Sequence, residues 1–429
     1  MALQSLSVPP LSVLDRLLAH RAGTDEPTQA AVASIIGRVR EYGDEGVRAC
    51  AREFDGLDLA PSLWELPRKD WDLSLQRLPG TLRAALTLAA ERVRTFHEQQ
   101  RDSGFLEVQA DGTVLGTRVL PVDRVGLYVP GGKASYPSTV IMNAVPATVA
   151  GVAEIIVVTP PSEFLSDAVL AACALSGATR IFRVGGAQAV AALAYGTETI
   201  PRVDVIVGPG NRWVAEAKRQ VVGLVGIDGV AGPTELLVLA DDSADTHRVA
   251  LDLVAQAEHD QDAVAWCVTT SERLAGELPA ALDRVLATAP RAAIARAALE
   301  RNGVVVRAPT LELAAEVVNL KAPEHLEILT ADPQQTLGLI RHAGAVFLGD
   351  QTPEPVGDYI AGPSHVLPTG GTARFSSPVG VYSFTKRTSV IGYTHERLLA
   401  DADHLIALAE AEGLMGHAEA VRARVSGER

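Results

Sequence analysis

Arg180–Asn211 reads RIFRVGGAQAVAALAYGTETIPRVDVIVGPGN, and this stretch decides the fold. An apolar run, Arg180–Val184, ends in Gly185-Gly186 and gives way to an alanine-rich segment of helical character. A second apolar run, Val203–Val207, then ends in Gly208-Pro209-Gly210-Asn211 ahead of a helix over 213–222. Continuous β-branched runs without polar alternation mark strands buried on both faces, and strand–turn–helix–strand order marks βαβ units with right-handed crossovers. Two more strands upstream, Val125–Tyr128 and Glu154–Thr159, followed by Pro130-Gly131-Gly132 and Pro160-Pro161-Ser162, extend the pattern. None of the turns is a G-x-G-x-x-G fingerprint. Open parallel sheets take ligands outside the carboxyl ends of their strands, where Tyr128, Gln188 and Asn211 all fall. Plain turn chemistry explains any one of these turns equally well. Free N–H groups at the start of the helix after Asn211 would also suit a phosphate.

Outward from this core, a second α/β series is expected near Glu235–Leu239, Ala263–Thr269, Val304–Arg307, Leu326–Leu329 and Ala345–Leu348. Upstream, Pro27–Tyr42 and Leu82–Gln99 carry apolar residues at helical spacing, and Asp111-Gly112 divides two alternating runs, Phe105–Gln109 and Thr113–Leu120, as a hairpin. Downstream, the chain reverts to helix, with His395–Glu412 and Leu414–Val425 broken at Gly413. The chain has 429 residues, 47% hydrophobic, 21% charged and only 4% aromatic, the composition of a globular protein built on aliphatic sheets. A net charge of -14 argues against nucleic acid and against an anionic membrane surface. The first twenty residues lack a basic n-region and carry prolines where a signal peptide would be apolar, so a cytoplasmic location is the expectation. The three cysteines, Cys50, Cys173 and Cys267, are far apart and read as small buried hydrophobes rather than as a thiolate metal site.

Three polar clusters lie in the second half. In Ala322-Pro323-Glu324-His325-Leu326 the proline puts a carboxylate and an imidazole at an element boundary. Neighbouring residues point in different directions, so the two could serve separate proton transfers; an incidental surface pair is the alternative. The helix Thr246–Glu258 carries apolar residues at 249, 250, 253, 254 and 257, so Gln256 and His259 share a face near its end. An amide oxygen and an imidazole nitrogen suit a borderline divalent ion, or a helix cap and a core contact. The pair precedes a strand rather than following one, against the strand-end rule. Gly357-Asp358-Tyr359 and Gly362-Pro363-Ser364-His365 form the third cluster, with Asp358 expected in a loop; His417 falls in the last helix.

Together these residues resemble the histidinol dehydrogenase family. The segments that carry the resemblance are YVPGG from Tyr128, VGGAQAVAALAYGTETIP from Val184, VGPGN from Val207, AGPTELLV from Ala231, QAEH from Gln256, APEHLE from Ala322, GDY from Gly357, HVLPTGGTARFSSP from His365 and EGLMGH from Glu412. The resemblance implies a four-electron oxidation of L-histidinol to L-histidine through the aldehyde, using two NAD⁺ in turn. It implies Zn²⁺, one per subunit, on Gln256, His259, Asp358 and His417, with His325 as the base and Glu324 activating water. NAD⁺ would meet Tyr128, Gln188 and Asn211. Substrate would meet Thr234, His365 and Glu412 besides Gln256, His259, His325, Asp358 and His417. Thr234 stands where the family usually has Ser, and the hydroxyl is retained. The family's fold implies two Rossmann-like parallel-sheet domains, the first discontinuous: 27–122 with 235–378 as the zinc-holding catalytic domain, and 123–234 as the NAD domain. A helical N-terminal segment, 1–26, and a helical C-terminal dimerisation tail, 379–429, complete it. A homodimer is implied, with the tail reaching the partner's site. A dehydrogenase of another small polar alcohol and a non-catalytic metal-binding paralogue are the rival readings. Presence of Glu412 and His417 disfavours the first, and retention of both Glu324 and His325 disfavours the second.

Overall fold

The computed structural model describes residues 4–7, 25–131, 136–161 and 166–426. Gly132 and Ser162, named above in two strand-end turns, lie outside them, as does most of the segment 1–26. The chain forms two units, Met1–Gln100 with Val122–Phe384, and Arg101–Pro121 with Thr385–Arg429.

The first unit contains two all-parallel sheets. In the five-stranded sheet the order is Arg180–Phe182, Glu154–Val158, Arg124–Tyr128, Val205–Val207, Gly226–Ile227. Numbered by sequence, that is 3-2-1-4-5, the order of a doubly wound nucleotide fold. Successive side chains on a strand point to opposite faces, and both faces are buried. Val125, Leu127, Ile155, Val157 and Ile181 enter one core with the helices Pro137–Ala150 and Asp167–Ser176; Ile156, Val158, Phe182 and Ile206 enter the other with Gly186–Tyr195 and Arg212–Val221.

The six-stranded sheet runs Gln4–Ser7, Val304–Arg307, Val264–Thr269, Glu235–Ala240, His325–Leu329, Ala345–Leu348. Leaving aside Gln4–Ser7, the order is again 3-2-1-4-5, a repetition that no sequence period betrays. The helix Thr246–Ala257 packs on it through Val249, Ala250, Leu253, Val254 and Ala257, the five positions its periodicity selects.

Three features differ from the sequence reading. The helical region 27–100, assigned above to the catalytic domain with 235–378, covers the five-stranded sheet instead. Val32, Ile35, Ile36, Val39 and Val47 of the helix Glu26–Cys50 enter one of its cores, and Leu86, Ala89, Ala90 and Val93 of Gly80–Glu98 enter the other. An amphipathic helix announces that it needs a sheet, not which one. Within 1–26, expected to be helical, Gln4–Ser7 is a strand paired in parallel with Val304–Arg307. Within 379–429, the strand Thr385–Gly392 precedes the helices and pairs antiparallel with Val114–Pro121.

That strand belongs to the second unit, whose sheet is completed by Phe105–Val108, the other arm of the expected hairpin. Asp111 accepts the N–H of Thr113 at 2.9 Å and Gly112 has φ 82°, so the turn forms where Asp-Gly marked it. The helices His395–Ala411 and Met415–Val425 pack together after Gly413, which takes φ 74°. The three cysteines are buried and unpaired. Among the described residues no helix is long and apolar enough to cross a membrane.

Candidate active site

The helix Leu311–Lys321 ends at Ala322 in the left-handed region (φ 48°), Pro323 follows, and His325 opens a strand. Register places His325 beside Leu236 and Ala345, so the acid–imidazole pair sits at the amino edge of the six-stranded sheet. Glu235–Ala240 and His325–Leu329 are adjacent there although separated in sequence, so the pair marks the point where strand order reverses. Nucleotide sheets use that reversal at their carboxyl ends; this one gathers its polar groups at the opposite end.

Glu324 and His325 lie side by side, Glu324 Oε2 3.6 Å from His325 Nδ1, but make different hydrogen bonds. Glu324 Oε2 accepts the Thr234 hydroxyl and the Glu235 N–H, both at 2.8 Å. Burial pushes its carboxyl up, while His325 and these two donors pull the other way by favouring the charged form. His325 Nδ1 lies 2.9 Å from the Glu235 carbonyl, which fixes the proton on Nδ1 and leaves Nε2 with its lone pair. Nε2 is buried without a hydrogen-bond partner and faces Asp358 at 3.8 Å and Glu354 at 3.9 Å. An imidazole held by one nitrogen, with the other free and turned to the Asp358 and Glu354 carboxyl groups, is arranged as a base.

Around this pair the predicted residues gather. Gln256 is buried and its Nε2 donates to Thr234 Oγ1 at 2.6 Å, leaving its carbonyl oxygen without a partner. Thr234 therefore links Gln256 to Glu324, the role open to a serine hydroxyl at the same place. His259 Nδ1 folds back on the carbonyls of Ala255 and Gln256, at 3.1 and 3.2 Å, which leaves Nε2 available. His365 Nδ1 is 3.0 Å from the Asp358 carbonyl; burial lowers its pKa against the pull of Asp358, and His325 and His259 lie close enough to lower it further. Asp358 is on a short helix, Glu354–Tyr359, not in the expected loop. Gly357 allows this: a Cβ there would meet the Phe347 ring at 2.6 Å. Glu412 and His417 belong to the second unit, both exposed, where with Leu405, Leu408, Leu414 and Val421 they line a recess of about 530 Å³.

Sequence reasoning missed Glu354, which with His325 and Asp358 forms a group of potential metal-binding side chains within 4.8 Å of one another. It also missed the acids behind it. Glu327 Oε1 accepts the Glu354 N–H at 2.9 Å, and Asp252 lies against Glu327. The signal was present: Glu327 falls two residues after His325, hence on the same strand face, inside an otherwise apolar run. Burial pushes Asp252 up to about 6 against the hydrogen bond it shares with Glu327, and burial followed by neighbouring acids pushes Glu327 to about 8 and Glu354 to about 9. These acids hold protons when folded that they release when unfolded, so the native state binds more protons above about pH 4.5 and stability falls as pH rises. We expect metal-free protein to lose on the order of 1–3 kcal/mol between about pH 5 and about pH 9 in urea unfolding, and Glu327→Gln to flatten the profile. Stability flat or rising over that range would contradict the assignment.

At the other sheet, Tyr128 and Gln188 both lie at the carboxyl ends of the strands. The Tyr128 hydroxyl accepts the Gly186 N–H at 3.1 Å, and both side chains are buried. Gly208 has φ 106°, and a Cβ on it would lie 2.2 Å from the Tyr128 carbonyl, so only glycine fits this turn. Buried Lys218 donates to the Gly208 carbonyl at 3.0 Å and pairs with Asp228, which accepts the Gly208 N–H at 2.7 Å. Asn211 caps the helix Arg212–Val221, its Oδ1 taking the N–H groups of Trp213 (3.0 Å) and Val214 (3.2 Å). Two of the helix-start donors expected to greet a phosphate are thus already satisfied by Asn211 itself.

Two parallel sheets of nucleotide-fold order, with a buried acid–imidazole pair beside nitrogen and oxygen donors, are the architecture and acid–base equipment that a dehydrogenase needs. A family model described as Histidinol dehydrogenase matches residues 19–425. A histidinol dehydrogenase of Pseudomonas savastanoi pv. phaseolicola is 51% identical over 381 residues, 88% of this chain and 85% of that protein. One from Pseudomonas aeruginosa is 51% identical over 386 residues, 89% of this chain and 88% of that protein. The crystal structure of histidinol dehydrogenase from Elizabethkingia anophelis superposes with a TM-score of 0.93 at 32% identity, covering 99% of this chain and 98% of that one. The chain belongs to the histidinol dehydrogenase family.

Proposed function

We propose that this protein oxidises L-histidinol to L-histidine through L-histidinaldehyde, the closing steps of histidine biosynthesis, with Zn²⁺ and two NAD⁺ in turn. The observation that carries the reading is the buried, unpartnered Nε2 of His325 beside Glu324, whose Oε2 is held by Thr234 and Glu235.

The residues fit a zinc ion. Gln256 offers a buried carbonyl oxygen with no partner, His259 a free Nε2, and Asp358 a carboxylate facing His325. Oxygen and nitrogen donors without thiolate suit Zn²⁺. We assign it to Gln256, His259, Asp358 and His417, and through it the substrate's imidazole and amine would be oriented. We infer a homodimer in which Glu412 and His417 from one tail complete the other subunit's site. Tyr128, Gln188 and Asn211 would hold NAD⁺, which would supply the hydride acceptor for each oxidation.

The chain's own groups handle the protons. His325 Nε2 takes the hydroxyl proton of the alcohol as the first hydride leaves, giving the aldehyde. Glu324 then takes a proton from the water that adds to that aldehyde while His325 returns its proton to the carbonyl oxygen, and His325, neutral again, takes a proton from the resulting hydrate as the second hydride leaves, the surplus protons passing to solvent. The Thr234 and Glu235 donors hold Glu324 in place and favour its charged form. His365 and Glu412 would contact the substrate.

The test is NADH formation from L-histidinol in zinc-replete and chelated protein. Replete protein should reduce NAD⁺, chelation should lower the rate by at least about a hundredfold, and added Zn²⁺ should restore it. No NADH from replete protein would overturn the reading.

A further inference from the structure

Glu235 serves both members of the acid–imidazole pair with its backbone. Its N–H goes to Glu324 Oε2 at 2.8 Å, and its carbonyl lies 2.9 Å from His325 Nδ1. One residue therefore holds both side chains. The Glu235 carboxylate is itself buried: Oε1 accepts from Lys321 Nζ at 2.7 Å, while Oε2 has no hydrogen-bond partner. Lys321 is buried too, its ammonium 5.7 Å from the centre of the buried Trp266 ring. A buried carboxylate with a single bond depends on that counter-charge.

Lys321 is also the last residue of the helix Leu311–Lys321, three positions before Glu324. The bonds from Lys321 to Glu235 and from Glu235 to Glu324 thus close a short ring around Ala322 and Pro323. Among the described residues Ala322 is the one non-glycine with positive φ. Such a conformation is costly with a Cβ and is kept where the surroundings over-determine it. Arg374, donating to the Asn319 and Leu320 carbonyls at 3.0 and 3.1 Å, also ties down the helix end, but leaves the Glu235 carboxylate to Lys321.

We propose that Lys321, through its ion pair with Glu235, is a positioning residue for both proton transfers, setting where the Glu235 backbone holds Glu324 and His325. The proposal rests on the reading of that pair as the acid–base groups. Without the ammonium, the Glu235 carboxyl group must take a proton or turn toward water, and a turn carries its N–H and carbonyl with it. Lys321 is not among the residues assigned to zinc, substrate or dinucleotide, so their binding should be spared.

The test uses the full-length, zinc-replete protein with L-histidinol and L-histidinaldehyde as separate substrates, for the parent and Lys321→Met. Thermal melts and zinc content establish that the variant is folded and loaded, and rates are read well below its melting temperature. Its kcat should fall by about tenfold to a hundredfold with both substrates alike, because one residue holds both groups. The KM for each substrate and for NAD⁺ should stay within about threefold of the parent. A role in stability alone would lower the melting temperature and leave kcat where it was. If Lys321→Met does not fold, Lys321→Met with Glu235→Gln, which leaves no unpaired buried charge, is read in its place and should show the same shared loss of kcat. Unchanged kcat in the folded variant, a loss confined to one substrate, or a rise in KM at constant kcat would overturn the role of Lys321 while leaving the acid–base pair intact. A parent protein that forms no NADH would remove the reading of the pair, and this proposal with it.

Discussion

Replacing His325 by Asn should lower the turnover of L-histidinol and of L-histidinaldehyde alike, by about 10²–10⁴-fold. The geometry explains why both steps suffer. Each oxidation sends a hydride out of a carbon whose oxygen must lose a proton, and His325 Nε2 is the buried nitrogen left free to take it. Asparagine can still donate to the Glu235 carbonyl that now holds Nδ1 at 2.9 Å, so the strand end should keep its shape. What it lacks is a basic nitrogen facing Asp358 and Glu354. Steady-state rates with each substrate check this, and kcat should move more than KM. A variant that retains more than about a tenth of the rate in either step would show that the base lies elsewhere.

Glu324→Gln separates the two oxidations. Aldehyde oxidation should slow by about 10²-fold or more, while alcohol oxidation stays within a few-fold of the parent. The glutamine oxygen can accept the Thr234 hydroxyl and the Glu235 N–H as the carboxylate does, so loss of a proton acceptor, not of position, is what the variant reports. The contrast with His325 follows from their placement. Glu324 faces Thr234 and the Glu235 amide while the free nitrogen of His325 faces Asp358 and Glu354, the placement the proposed separation of transfers requires. L-Histidinaldehyde consumed at the parent rate by Glu324→Gln would break the division of labour.

Much of this was legible in the chain, for definable reasons. Strands buried on both faces read as unbroken apolar runs, so Arg124–Tyr128 and Glu235–Ala240 are recognisable without their neighbours. Asp111-Gly112 and Pro323 act through local backbone preference, and both mark the boundaries they should. The strand Thr385–Gly392, TKRTSVIG, was hidden because it is largely exposed and charged, with only Val390 and Gly392 among its last four residues less than fully open. Gln4–Ser7 is four residues at a sheet edge, too short for a period to show. Which sheet the early helices cover is a long-range choice between two similar apolar surfaces.

The site divides the same way. Glu324, His325, Gln256 and Asp358 were recognisable as residue types suited to acid–base and metal chemistry, and the structure gathers them with Thr234 and His365. Glu354 was not recognisable, because an acid beside prolines reads as an ordinary turn; only the fold of Glu354–Tyr359 onto Phe347 and Glu327 brings it to His325. The strand-end rule located Tyr128 and Gln188 but not the acid–imidazole pair, which gathers at amino ends.

The most direct measurement is the yield of NADH per L-histidinol consumed to completion, with excess NAD⁺ and zinc-replete protein. The account predicts about two for the parent and a value near one for Glu324→Gln, with aldehyde trapped at the midpoint. A parent yield near one, or a variant that reaches two at the parent rate, would contradict it.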